Sequence, residues 1–196
     1  MRNLPAPLHP QVVAFLDGMP ANTSGTIDDI SVAEFREQFD KLITPQTTEN
    51  IKVQRVSLIS IPGPDSNINA RIYYPNFNKR AERSTSPLIV YFHGGGHVVG
   101  NLDSHDSVAR RLCVEFESII ASIDYRLAPE HKFPAAIEDS YAATKWIADN
   151  AEDLGADTNE LSVAGDSAGG NIAAVVAIMA RDDIQGPRIK FQLLLY

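Results

Sequence analysis

Apolar residues gather in short runs, nearly unbroken, that alternate with helical patterns over most of the chain. Leu88–Phe92, Ile119–Ile123, Leu161–Ala164 and Phe191–Tyr196 are such runs. Without polar alternation they fit strands buried on both faces, as in a parallel sheet. Between them, Ser104–Phe116, Ala135–Ala151 and Ala168–Arg181 read as helices. Strand, helix, strand, helix in sequence predicts an α/β doubly wound domain: a mostly parallel sheet covered by helices on both faces. The last helix carries Ile172, Val175, Val176, Ile178 and Met179 among alanines, so it is apolar nearly all round. That pattern predicts a helix lying deep against the sheet.

The first third of the chain has a different rhythm. Pro10 is a good first helical position and Gly18 a good terminator, so a helix is predicted between them. A second starts at Ser31-Val32-Ala33-Glu34, a capping box in which Ser31 and Glu34 satisfy orphan N–H groups. Its residues Val32, Phe35, Phe39, Leu42 and Ile43 share one helical face. Strands follow at Val56–Ile61 and Ala70–Tyr74, joined through the turn signal Pro62-Gly63-Pro64-Asp65. Asn76–Ser86 reads as a surface loop. There are no repeats or low-complexity tracts, and the division expected is a helical segment over 1–50 and a core over 51–196.

Composition narrows the function. The chain has 196 residues, 44% hydrophobic and 21% charged, as an ordinary globular protein has. A net charge of −8 argues against nucleic acid or an anionic membrane as partner, since both want a basic face. Cys113 is the one cysteine, so no intrachain disulfide framework is possible. It lies in the stripe Val108, Leu112, Cys113, Phe116 and reads as a buried packing residue. No stretch reaches the 18 or so apolar residues of a membrane span. The N-terminus shows no apolar run of signal-peptide length. A soluble, cytoplasmic protein is expected.

Two motifs carry chemistry. Gly165-Asp166-Ser167-Ala168-Gly169 follows an apolar strand and opens a helix. That context suits a nucleophile turn, where small residues must flank a serine held above the sheet. From the residues alone, a strand-to-helix turn of another α/β protein is the competing explanation. His93-Gly94-Gly95-Gly96 directly follows the strand Leu88–Phe92. Glycines there let backbone N–H groups approach a developing oxyanion. A flexible turn or a phosphate loop is the alternative, but neither Gly-x-Gly-x-x-Gly nor the lysine-bearing P-loop fits.

Together these segments resemble a known family. They are His93-Gly94-Gly95-Gly96-His97-Val98-Val99-Gly100, Ser104-His105-Asp106, Asp124-Tyr125-Arg126-Leu127-Ala128-Pro129-Glu130, Phe133-Pro134-Ala135-Ala136, and Gly165-Asp166-Ser167-Ala168-Gly169-Gly170-Asn171. Their order and spacing resemble the hormone-sensitive-lipase-like family of α/β-hydrolases, from about Leu88 to Tyr196. The resemblance implies an α/β-hydrolase fold, N-terminal helices acting as a cap, and a carboxylesterase or lipase acting on short to medium acyl esters with no metal and no organic cofactor. It implies Ser167 as nucleophile and Gly95, Gly96 and Ala168 as donors of the oxyanion N–H groups. His93, Gly94 and Asp166 then support the loop, with Asp166 turned away from Ser167. Asp124, Arg126 and Glu130 are expected to form one polar network shaping their loop. His105 and Asp106 are expected to cap a helix, and His9 and His131 to lie on the surface. His97 stands where the family often has a large aromatic, and is expected to tune the pocket.

The order of residues raises a question. A serine hydrolase of this class places its residues in the order Ser, Asp/Glu, His. All five histidines here precede Ser167. The expectation is a C-terminally truncated esterase that lacks the triad acid and histidine and ends in a sixth strand, with the last strands and helices missing. Phe191–Tyr196 would then be an exposed hydrophobic edge open to self-association or a partner strand. Two further readings stay open. One is an inactive small-molecule binding module, since the family includes a plant hormone receptor that kept the fold and lost the histidine. The other is half of a split hydrolase.

Overall fold

A computed structural model describes residues 7–18, 30–43, 51–76 and 85–196. The chain divides into two compact units, Met1–Ser31 and Val32–Tyr196. The first contains helix α1 (Pro10–Gly18), with the bounds its proline and glycine predict. The second contains α2 (Val32–Ile43), β1 (Arg55–Ile61), β2 (Ile68–Tyr74), β3 (Ser86–Phe92), α3 (Asp106–Glu115), β4 (Ile119–Asp124), α4 (Ala135–Asp149), β5 (Ala156–Asp166), α5 (Ala168–Asp182) and β6 (Phe191–Leu195). Most of the loop expected over Asn76–Ser86 lies outside the described residues.

The six strands form one sheet in the order β1-β2-β4-β3-β5-β6. β1, β2 and β4 pair antiparallel, and β4, β3, β5 and β6 run parallel. Alternate residues of the parallel strands serve two layers. Leu88, Val90 and Phe92 pack in one cluster with Ile137 and Ile147 of α4 and Ile172 and Val176 of α5. Ile89, Tyr91 and Ile120 join Ala109, Leu112 and Cys113 of α3 in another. Both faces are therefore covered, which is why these strands read as continuous apolar runs.

Strand order explains where a site can form. The chain goes from β3 outward to β4, then crosses back to β5 on the other side of β3. Connections diverge at β3, and a crevice opens beyond the carboxyl ends of the strands at such a switch point. The glycine loop after β3 and the serine turn after β5 meet there, because Phe92 lies opposite Gly165 in the register.

Two expectations change, for α5 and β5, and α2 adds an observation. α5 buries one face only: Gly169, Gly170, Ile172, Ala173, Val176 and Ala180 are buried, whereas Ile178 is half exposed. A helix on one sheet has a single layer to lie against, so its outer apolar side stays uncovered. α2 has no fully buried residue, although its apolar stripe is present. β5 begins at Ala156, earlier than the apolar run, because pairing of Ser86 with Ala156 recruits polar residues into the strand.

Candidate active site

Ser167 is exposed at the point where β5 becomes α5, with φ 50° and ψ −116°. A serine in that region is strained and held by its surroundings. Two glycines make the turn possible. A Cβ on Gly165 would run into the Gly169 carbonyl, and one on Gly169 into the carbonyl of Phe92. Helix, elbow and central strand thus touch backbone to backbone. The Ser167 N–H donates to the Leu195 carbonyl at 2.8 Å, and the Ser167 carbonyl accepts from Asn171 N–H at 3.1 Å.

The glycine loop is pinned peptide by peptide. His93 is fully buried, and its Nδ1 lies 2.8 Å from the Gly94 carbonyl. A carbonyl only accepts, so the proton sits on Nδ1. Burial pushes the His93 pKa down to about 4, so the ring is neutral at pH 7. It stacks on Tyr125 with centroids 4.4 Å apart, and Tyr125 O–H donates to the His93 carbonyl at 2.7 Å. The Gly94 N–H donates to Asp166 Oδ1 at 3.0 Å. A Cβ on Gly94 would strike that same carboxylate. Farther along, the Gly95 carbonyl accepts from Val98 N–H at 3.0 Å and Val99 N–H at 2.9 Å. A trans peptide sets its C=O and N–H on opposite sides. With the Gly94 and Gly95 carbonyls turned inward, the N–H groups of Gly95 and Gly96 face the other way. Gly96 is exposed and Gly95 half-buried, at φ +60° and +121°.

Asp166 is occupied away from Ser167. It accepts Tyr91 O–H at 2.5 Å besides the Gly94 N–H, and His105 Nε2 stands 3.6 Å away. Burial alone would raise its pKa, but the His105 and Tyr91 interactions outweigh that and hold it below the usual carboxylate value. Tyr91 is the residue that sequence reasoning missed here. As one aromatic in an apolar run, it carries no signal of its hydroxyl's partner.

Several expected roles are corrected. His105 occupies the N-cap position of α3 without a side-chain cap bond; its Nδ1 meets Ser104 Oγ at 2.9 Å. Asp106 instead accepts from Tyr73 O–H at 2.8 Å and Arg110 Nε at 2.6 Å. Asp124, Arg126 and Glu130 are not one network. Arg126 pairs with buried Asp139 at 2.7 Å and with Asp65, and Glu130 pairs with Arg36 at 2.7 Å. Asp124 is turned toward Asn69, and burial raises its pKa. Asp124 ends β4 while Arg126 and Glu130 lie on the loop after it, and their side chains diverge, so nearness in sequence did not make a cluster. Phe116, expected to complete the Cys113 stripe, is half exposed at the end of α3. Cys113 itself is buried, and burial raises its pKa to about 12.

A cavity of about 370 Å³ opens beside these elements. Ala128, Phe133, Pro134, Ala136, Ile137 and Val175 give it apolar walls. His97, His131 and Asn171 supply its polar rim. Asn171 lies one helical turn after Ser167, and His97 follows Gly96. Among the described residues, no three His, Cys, Asp or Glu side chains gather as a metal site.

A family model for the α/β-hydrolase fold matches residues 89–196. The chain belongs to the α/β-hydrolases. Within them it falls in the hormone-sensitive-lipase-like family, as its motifs imply. The chain is 44% identical to esterase LipI of Mycobacterium tuberculosis over 189 residues, 96% of the chain and 56% of LipI. It is 42% identical to carboxylesterase NlhH of the same organism, again over 96% of the chain and 56% of NlhH. A solved esterase of Pyrobaculum calidifontis superposes with a TM-score of 0.82 at 46% identity, covering 96% of this chain and 58% of that one. The chain spans about half the length of the curated relatives it matches. No described helix is long and apolar enough to cross a membrane.

Proposed function

We propose that the hydrolase chain carries the nucleophile and oxyanion donors of a serine carboxylesterase acting on short to medium acyl esters. Ser167 Oγ attacks the ester carbonyl carbon and its proton passes to a general base. The carbonyl oxygen becomes an oxyanion facing the N–H groups of Gly95, Gly96 and Ala168. Collapse expels the alcohol, which takes up a proton, and leaves an acyl-enzyme for water to hydrolyse. The apolar cavity beside Asn171 and His97 suits an acyl or alkyl chain of modest length. The observation that carries the reading is the exposed, strained Ser167 beside a loop whose pinned carbonyls turn the Gly95 and Gly96 N–H groups the other way.

No histidine follows Ser167 in this sequence, against the order this reaction class uses. His93 is neutral, fully buried and bonded to Gly94, and His105 faces Asp166. Ser167 is therefore proposed to supply the nucleophile, and Gly95, Gly96 and Ala168 the oxyanion donors.

A boronic acid tests these groups, because it needs the serine and the donors but no turnover. Butylboronic acid adds to Ser167 Oγ by forming a B–O bond and releasing one proton, which yields tetrahedral anionic boron. The ¹¹B signal is expected to move from trigonal to tetrahedral with the wild-type chain and to stay trigonal with Ser167→Ala. A tetrahedral signal that persists in Ser167→Ala, or none with the wild type, overturns the assignment.

A further inference from the structure

We infer that Arg36, on α2, is a positioning residue for the glycine loop: its guanidinium clamps the turn that sets the Gly95–Gly96 peptide. The inference rests on that loop being the oxyanion site. Four of the five guanidinium N–H donors are used. Nε–H donates to the Val98 carbonyl at 2.8 Å. Nη2 donates to the Ala128 carbonyl at 3.0 Å and to Glu130 Oε2 at 2.7 Å. Nη1 donates to Glu130 Oε1 at 2.9 Å.

Val98 is the hinge of the turn. Its N–H holds the Gly95 carbonyl while its own carbonyl is held by Arg36. Fixing the Gly95 carbonyl fixes the Gly96 N–H on the opposite side of the same plane. The neighbouring His97 carbonyl accepts Ala128 N–H at 2.8 Å, and the Ala128 carbonyl returns to Arg36. One side chain thus joins α2, the glycine loop and the 126–134 segment. Half-buried carbonyl contacts to a charged donor are stronger than neutral hydrogen bonds. The Glu130 pair is largely exposed, and such pairs contribute little by themselves. Lysine lacks the fork needed to reach Val98, Ala128 and Glu130 together. α2 buries no residue fully, so polar ties matter to it; another is Asn101 Nδ2 to Asp40 at 3.2 Å.

The test compares Arg36→Gln, Arg36→Lys and Glu130→Gln in the 196-residue chain, with circular dichroism to confirm folding. The first readout is amide hydrogen exchange. Val98, Val99 and Ala128 are expected to exchange about tenfold faster in Arg36→Gln, with β3 amides unchanged, and nearly at the wild-type rate in Glu130→Gln. The second is butylboronate affinity, expected to fall about tenfold in Arg36→Gln, less in Arg36→Lys, and under threefold in Glu130→Gln. Unchanged exchange at Val98 and Val99 in Arg36→Gln would sink the clamp. Equal effects of Arg36→Gln and Glu130→Gln would reduce Arg36 to an ion-pair anchor and also overturn it. If the wild type binds no boronate, the nucleophile reading has failed, and the exchange measurement alone decides the clamp. If Arg36→Gln does not fold, Arg36→Lys takes its place, and wild-type exchange and affinity in that variant overturn the proposal.

Discussion

At His93 a single proton links the fold to pH. Burial lowers its pKa from 6.5 to about 4, so the folded ring resists a proton that the unfolded chain accepts. Stability from this residue is complete above the unfolded value and falls as pH drops from 6.5 toward 4. A gap of that size corresponds to a loss on the order of 3 kcal/mol. Urea unfolding at pH 7.5 and 4.5 reads the loss directly. His93→Gln keeps an N–H for the Gly94 carbonyl and is expected to flatten that part of the profile; an unchanged profile would place the proton elsewhere. Cys113 behaves oppositely in practice. With its thiol pushed up to about 12 inside the α3 layer, it is expected to resist a thiol-specific reagent until the chain unfolds. Rapid native labelling would mean that the layer opens.

Among the elements, close backbone approach decides most of the site. Gly169→Ala puts a methyl against the Phe92 carbonyl, which belongs to the central strand and has no room to give. Overpacking of that kind costs about 1–3 kcal/mol and should push α5, with Ser167, off the sheet. Gly96→Ala meets open space, so its cost is the left-handed backbone alone, about 1–2 kcal/mol. Chemical denaturation of both variants, with butylboronate binding beside it, is expected to show Gly169→Ala losing both stability and binding. Equal losses would mean that the elbow tolerates repacking. The parallel strands and the two motifs were legible because burial on both faces and tight turns leave strong marks in sequence. The tie of Arg36 to Val98 was not, since one arginine on a mostly exposed helix resembles any solvated charge. Nor was the open side of α5: apolar residues all round a helix record what could be covered, and Val175 instead lines the cavity.

For the whole molecule, charge, class and family followed from sequence, while arrangement required the sheet order. Without it nothing says that the loops after β3 and β5 face one another. One outcome belongs to this scale. Turnover of p-nitrophenyl butyrate by this chain is expected near the 10³–10⁴-fold over water that survives in a protease without its triad. Rates of a complete enzyme would show that a base is present after all.

The bond from Ser167 N–H to the Leu195 carbonyl makes the proposed nucleophile a listening post for β6. Any event that shifts the last carbonyl of β6 is transmitted to the serine's own amide. The ¹⁵N resonance of Ser167 should therefore register events on β6 before any change in chemistry is measurable.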